Sequence, residues 1–408
     1  MIKGKILNNY ADLIIKVGVN LQKGQGLEIS CPIEQKQFAI ALTKSAYKWG
    51  ASIVRIRWQS QELDALNYTF AKEEQLLDIP KWFVDSKNDL IEKNFCYVAV
   101  SSDNPEAFKK IPPEKLFAIS SAKAKALKKF SDGVMSNSIR WCVVSVPTTA
   151  WAKKVFPSHK NPVHALSSQI ENAMRLGQQN PLTSWAEHID KLDKRAKFLN
   201  DARFEYLHFT NSKGTDLMVG LCDNHVWTSA KEKAKDGVSF VANMPTEEIF
   251  TAPHRLKTNG VLKSALPLCS NGQIIDDFSI TFKDGKITGF SATRGYDTLK
   301  QLINTDKGTK RLGEVALIGK NSPIAKSGVL FYNTLFDENA SCHLAIGKAY
   351  PTTISGGDKL SNKELEKLGL NDSSEHEDFM IGTPDLSVIG IKKDGTKVQI
   401  FVDGDWVI

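Results

Sequence analysis

No two cysteines in this sequence lie close together: Cys31, Cys96, Cys142, Cys222, Cys269 and Cys342 never form a C-x-x-C pair. Zinc ribbons and disulfide scaffolds are thereby excluded as organising principles. Most of these thiols sit in apolar runs such as Phe95-Cys96-Tyr97-Val98, the usual setting of buried free cysteines in a reducing compartment. No run of about 20 apolar residues exists, so no membrane-spanning helix is expected. The first ten residues lack the apolar centre of a signal peptide, and a cytoplasmic location is the expectation. Gly18, Gly24 and Gly26 form neither a helix-opening G-x-G-x-x-G nor a phosphate loop, which leaves them as turn residues. The net charge of +7 is spread thinly, with one short cluster at Lys123, Lys125, Lys128 and Lys129. A nucleic-acid footprint would be denser, so neither nucleic acid nor membrane is an expected partner.

What is present begins with size. At 408 residues the chain exceeds what a single hydrophobic core usually supports, and two domains, 1–185 and 186–408, are expected. In the first half, Gly24-Gln25-Gly26 turns the chain into a strand at Leu27–Cys31. A helix over Glu34–Trp49 follows, stopped by Gly50, and then a strand over Ser52–Trp58. This is a βαβ unit, and further apolar strands at Phe95–Val100 and Trp141–Val146 flank a lysine-rich helix around Pro112–Phe130. An α/β N-terminal domain with a mainly parallel sheet follows. A long amphipathic helix, Leu182–Leu199, leads into different texture. Phe204–Thr210, Asp216–Val219, Ile274–Phe282, Ile287–Phe290 and Val388–Val407 read as strands, with hairpin turns at Lys283–Lys286 and Lys393–Thr396. The C-terminal domain is expected to be α+β, catalytic, and mostly antiparallel.

Carboxylates and imidazoles gather in four patterned segments of that second half: Asn243–Phe250, Gly313–Ala316, Leu335–His343 and His376–Gly382. A mixture of oxygen and nitrogen donors suits a pair of divalent cations better than one structural zinc. His376 and Asp378 are two apart, so in an extended strand both side chains reach one ion, while Glu375 and Glu377 point away. Glu314 stands in an apolar run, where an unpaired carboxylate would cost several kcal/mol or take up a proton. A cation removes that cost, as would a partner such as Arg311. Glu248 precedes an extended stretch, whereas Glu247 suits the first turn of a helix. Asp337 and Glu338 are either capping acids or functional ones. His343 reads as lying near the start of a helix, Asn339 as its N-cap and Ala340–Gly347 as its body, with Tyr350 on the same face. A core histidine with a packing tyrosine is the alternative at those positions.

These segments, taken together, resemble the M29 family of metallo-aminopeptidases. The likeness spans the chain, from Ala11-Asp12-Leu13-Ile14-Ile15-Lys16-Val17-Gly18 and Pro147–Pro157 to Pro245-Thr246-Glu247-Glu248, Gly313–Leu317, Phe331–Asn339 and Asp378–Gly382. It implies a dinuclear site for zinc, cobalt or manganese, with magnesium a further option. The implied ligands are Glu248, Glu314, His343, His376 and Asp378, with Glu338 as ligand or base and Tyr350 as a catalytic neighbour. It also implies a homodimer, an active site facing an enclosed cavity, and peptide substrates with a free N-terminus. Two other readings remain: a dinuclear hydrolase of phosphoesters or small amides, and a basic nucleic-acid-binding protein whose acids are structural.

Overall fold

The computed structural model describes residues 2–270 and 273–408. It divides into two compact units. The first comprises the chain up to Asp190, Ala230–Thr246 and Phe331–Leu335; the second comprises Lys191–Ser229, Glu247–Leu330 and Phe336–Ile408.

The first unit is built on the expected parallel sheet. Its strands are Gly26–Pro32, Ile53–Gln59, Cys96–Val100 and Trp141–Val144, with Ile53–Gln59 at one edge and Gly26–Pro32 beside it. Gly26–Pro32 is buried at every position, as a strand covered on both faces must be. The helix Lys36–Lys48 makes the crossover between the first two strands. The expected helix at Pro112–Phe130 is two helices, Pro113–Ala126 and Lys128–Met135, broken at Leu127. Lys128 and Lys129 are exposed and pair with Asp132 and Glu92 at 2.8 and 2.7 Å. Tyr10 is fully buried, and its hydroxyl donates to the Ser145 carbonyl at 2.9 Å.

The second unit holds two antiparallel sheets. A nine-stranded sheet includes Phe204–Thr210, Asp216–Leu221, Pro253–Lys263, Gln273–Lys283 and Lys286–Arg294. The run expected as Val388–Val407 is three strands of this sheet, Ser387–Lys392, Lys397–Val402 and Asp405–Trp406. Both hairpin turns fall where glycine and aspartate signalled them, Lys283 pairing with Lys286 across the first. The smaller sheet has four strands in the order His376–Met380, His343–Gly347, Leu312–Leu317 and Ile249–Thr251. Its two inner strands are buried throughout. The fold class is therefore mixed α and β, with one parallel sheet, the two antiparallel sheets of the second unit and a small antiparallel pair, Lys231–Lys233 with Ser239–Val241. No helix among the described residues is long and apolar enough to cross a membrane. Cys31, Cys96, Cys142, Cys222 and Cys342 are free and buried, and Cys269 is half-buried.

One sequence expectation, and two that depend on it, change here. His343 does not open a helix. The helical geometry lies earlier, in a helical turn at Thr334–Asp337 continued by a 3-10 turn at Glu338–Ala340, and His343–Gly347 is a strand hydrogen-bonded on both sides. A short apolar run such as Leu344-Ala345-Ile346 has no decisive period, and pairing with two neighbours settles it. Consequently Asn339 is not a helix N-cap, and Tyr350 does not share a helical face with His343.

Candidate metal centre

Every candidate side chain lies in the second unit, on or beside the small sheet. Glu314 on the Leu312–Leu317 strand sits opposite Ala345, and Ala345 sits opposite Asp378. His343 is two residues from Ala345, and His376 two from Asp378, so strand alternation puts all four on one face. Glu248 immediately precedes the outer strand Ile249–Thr251 and reaches the same face. The residues between them are small: Ala316 opposes His343, and Gly347 opposes His376.

Glu314 reaches this face because of an extra residue. Leu312 opposes Ile346, yet Glu314 opposes Ala345, so Gly313 is a β-bulge. Without it Glu314 would oppose Leu344 and point away from the histidines. Only glycine fits there: a Cβ at Gly313 would lie 2.4 Å from the Gly347 carbonyl oxygen and 2.5 Å from that of Lys348.

The polar atoms form two overlapping triads, Glu248–Glu314–His343 and Glu314–His376–Asp378, each with its ligand atoms within 4.8 Å of one another. Nε2 of His343 lies 3.3 Å from Glu248 Oε2, 3.4 Å from Glu314 Oε1 and 3.9 Å from Asp378 Oδ1. Nε2 of His376 lies 3.6 Å from Glu314 Oε2 and 3.4 Å from Asp378 Oδ1. The two oxygens of Glu314 thus serve different histidines. Each ring is oriented from behind: Nδ1 of His343 donates to the Glu338 carbonyl at 2.9 Å, and Nδ1 of His376 to that of Lys348 at 2.6 Å. With Nδ1 committed behind it, each ring turns Nε2 toward the carboxylates, and on giving up its Nε2 proton would present a ligating lone pair there.

The electrostatics of this face are those of too many acids in too little water. Burial, with help from Asp378, pushes the Glu314 carboxyl up to about 7 despite its bond with His343. Glu338 is raised well above the carboxylate range by burial and by Asp378 and Glu248. Burial favours neutral imidazoles, yet Asp378 and Glu314 carry His376 up to about 10, and Glu248 and Glu314 raise His343. For Asp378, burial is outweighed by His376 and His343, and its carboxyl is held below the ordinary value. Its Oδ1 is nonetheless buried without a hydrogen bond. An orphaned carboxylate oxygen among imidazoles and acids, with no thiolate in the set, fits hard or borderline divalent cations.

Glu338 lies outside both triads. It is buried, and its Oε1 accepts from Asn339 Nδ2 at 3.4 Å. Tyr350 is half-buried, its ring edge-on to His376 at 5.3 Å and tilted against Phe250 at 5.7 Å. Arg311, a conceivable partner of Glu314, donates instead to the Arg255 and Asp284 carbonyls. Glu377 accepts from Ser270 at 3.1 Å, and burial, with Asp378 nearby, pushes it up to about 8. Cys342 directly precedes His343, but its sulfur faces the backbone of Ile318, 3.5 Å from the carbonyl oxygen. The bulge at Gly313 and the side-chain role of Asn339 were not visible in the sequence; the pairing of glycine with glutamate in an apolar run was the one available signal.

A face of this composition is that of a metallohydrolase, and the chain belongs to the thermophilic metalloprotease family M29, whose model matches residues 3–406. Among curated relatives, aminopeptidase 2 of Geobacillus stearothermophilus is 40% identical over 404 residues, covering 98% of each chain. The solved structure of wild-type AmpT from Thermus thermophilus superposes with a TM-score of 0.91 at 36% identity, covering 99% of each chain. A 2,5-dihydroxypyridine dioxygenase from Pseudomonas putida KT2440 matches with a TM-score of 0.52 at 12% identity, covering 98% of this chain and 96% of its own. That more distant likeness extends to the fold alone.

Two outcomes test this geometry. The neighbouring carboxylates, against the opposing effect of burial, carry His376 up to about 10 and raise His343, so cation uptake should displace protons from the centre and affinity should rise with pH. Calorimetric titration in two buffers of different ionisation enthalpy should therefore give different heats; identical heats would contradict the proton balance. Gly313→Ala should press on the Lys348 carbonyl that orients His376 and weaken cation affinity roughly 10–100-fold, measurable by competition with a chelating dye.

Proposed function

We propose that this chain removes the N-terminal residue from peptides at a centre of two divalent cations. Membership of the M29 family, with relatives named as aminopeptidases, makes the chain a metal-dependent exopeptidase. The observation that supports a pair of ions is the division of Glu314 between two triads. Glu248 and His343 would hold one ion, His376 and Asp378 the other, with Glu314 common to both. Zinc, cobalt or manganese, or else magnesium, would supply Lewis acidity toward water and the scissile carbonyl.

The protein's own groups do the rest. Glu338 is assigned as the base: its carboxylate takes a proton from the attacking water as the C–O bond forms, and returns it to the leaving nitrogen as the C–N bond breaks. Burial beside Asp378 and Glu248 raises its proton affinity, and cations held by the neighbouring triads would keep it ionised for that task. Glu247 is the lesser candidate. Tyr350, lying against His376, would donate to the developing oxyanion, worth about 3 kcal/mol in good geometry. A carboxylate of the cluster would bind the substrate's free ammonium group and so restrict cleavage to chain ends. We further assign a cytoplasmic location, from the buried free cysteines, and a homodimer, from the family resemblance.

Cleavage of a peptide with a free N-terminus should disappear on chelation, return on metal addition, and be absent for the N-acetylated peptide. Equal turnover of the acetylated peptide would refute an exopeptidase. Glu338→Gln should lower kcat about 10²–10⁴-fold with metal content retained; loss of metal instead would make Glu338 a ligand.

A further inference from the structure

We propose that Asn339 is a positioning residue whose side-chain amide fixes Glu248 and Glu338 relative to each other. The inference rests on the reading that both acids belong to the working centre.

Asn339 is fully buried in the turn Glu338–Ala340. Its Oδ1 accepts from the backbone N–H of Glu247 at 2.6 Å, a bond spanning 92 positions of sequence. An N–H can meet only the oxygen end of an amide, so the orientation is decided, and Nδ2 must face the other way. There it lies 3.4 Å from Glu338 Oε1. The backbone of this turn is held separately, since Ser322 Oγ donates to the Asn339 carbonyl at 3.2 Å and the Glu338 carbonyl accepts from His343. One planar group therefore joins two acids of the site. It anchors the residue before Glu248, it sits next in sequence to Glu338, and it offers Glu338 a donor. Two ends of one rigid amide cannot move independently, so displacing it should shift one acid against the other. Catalytic groups misplaced by about 1 Å can lose two orders of magnitude in rate.

The two ends can be separated by substitution. Asn339→Asp retains an acceptor for the Glu247 N–H but removes the donor to Glu338. Asn339→Ala removes both. The Asp variant is expected to keep cation content, KM and the visible absorption of the cobalt-substituted protein, while kcat falls roughly 10–100-fold. The Ala variant should in addition lose cation affinity about 10–100-fold and show an altered cobalt spectrum. A merely structural asparagine would lower the melting temperature of both variants and leave kcat and KM per metal-loaded molecule unchanged; that result overturns the proposal. Wild-type chain run alongside separates the two levels of inference. Wild-type binding and turnover with unaffected variants overturns the Asn339 assignment alone, whereas a wild type that neither binds cation nor cleaves peptide overturns both.

Discussion

A carboxylate taken out of water must be compensated, and in this protein that obligation falls most heavily on Glu314. Each of its oxygens faces a different imidazole, and further acids, Glu248 and Asp378, crowd the same Nε2 atoms. An isolated ionised group in such a place would be untenable; it survives by sharing protons with His343 and His376 or by meeting a cation. Other features of the sheet serve this arrangement. The inner strands are dry, so charges act over short distances at low dielectric, and the rings are anchored from behind so that they cannot turn away.

Space matters as much as charge. On the ligand-bearing face, Ala345 lies between Glu314 and Asp378, Ala316 lies opposite His343, and Gly347 opposite His376. Small side chains at the centre and long ones around it make a floor with a rim. The bulge at Gly313 belongs to the same design, since it turns a glutamate from one side of the sheet to the other at the cost of one unpaired residue. A fold shared at low identity with a dioxygenase shows how little of the chemistry resides in the backbone alone. It resides in which side chains the strands present.

The sequence carried some of this well. The parallel sheet of the first unit was legible because a helix between two apolar strands leaves few alternatives, and the hairpins at Asp284-Gly285 and Asp394-Gly395 announce their own turns. His376 and Asp378 on one face of a strand followed from their spacing. His343 did not, because Ala340–Gly347 satisfies a helical pattern locally and becomes a strand only through partners at Ala316 and Met380, distant in sequence. Asn339 was misread for a related reason: its partner, the Glu247 backbone, is remote, and no local pattern signals such a bond. The candidate ligand set itself came from resemblance, since each acid taken singly had an ordinary structural explanation.

Strand alternation has one more effect at this sheet. Cys342 is bonded covalently to His343, yet its sulfur is turned to the Ile318 backbone and burial pushes the thiol up to about 12. Thiolate is the form that captures soft heavy metals and reacts with peroxides, and at neutral pH this residue has almost none of it. Soft metals such as cadmium or mercury therefore meet no thiolate in the two triads, whose donors are carboxylate oxygen and imidazole nitrogen.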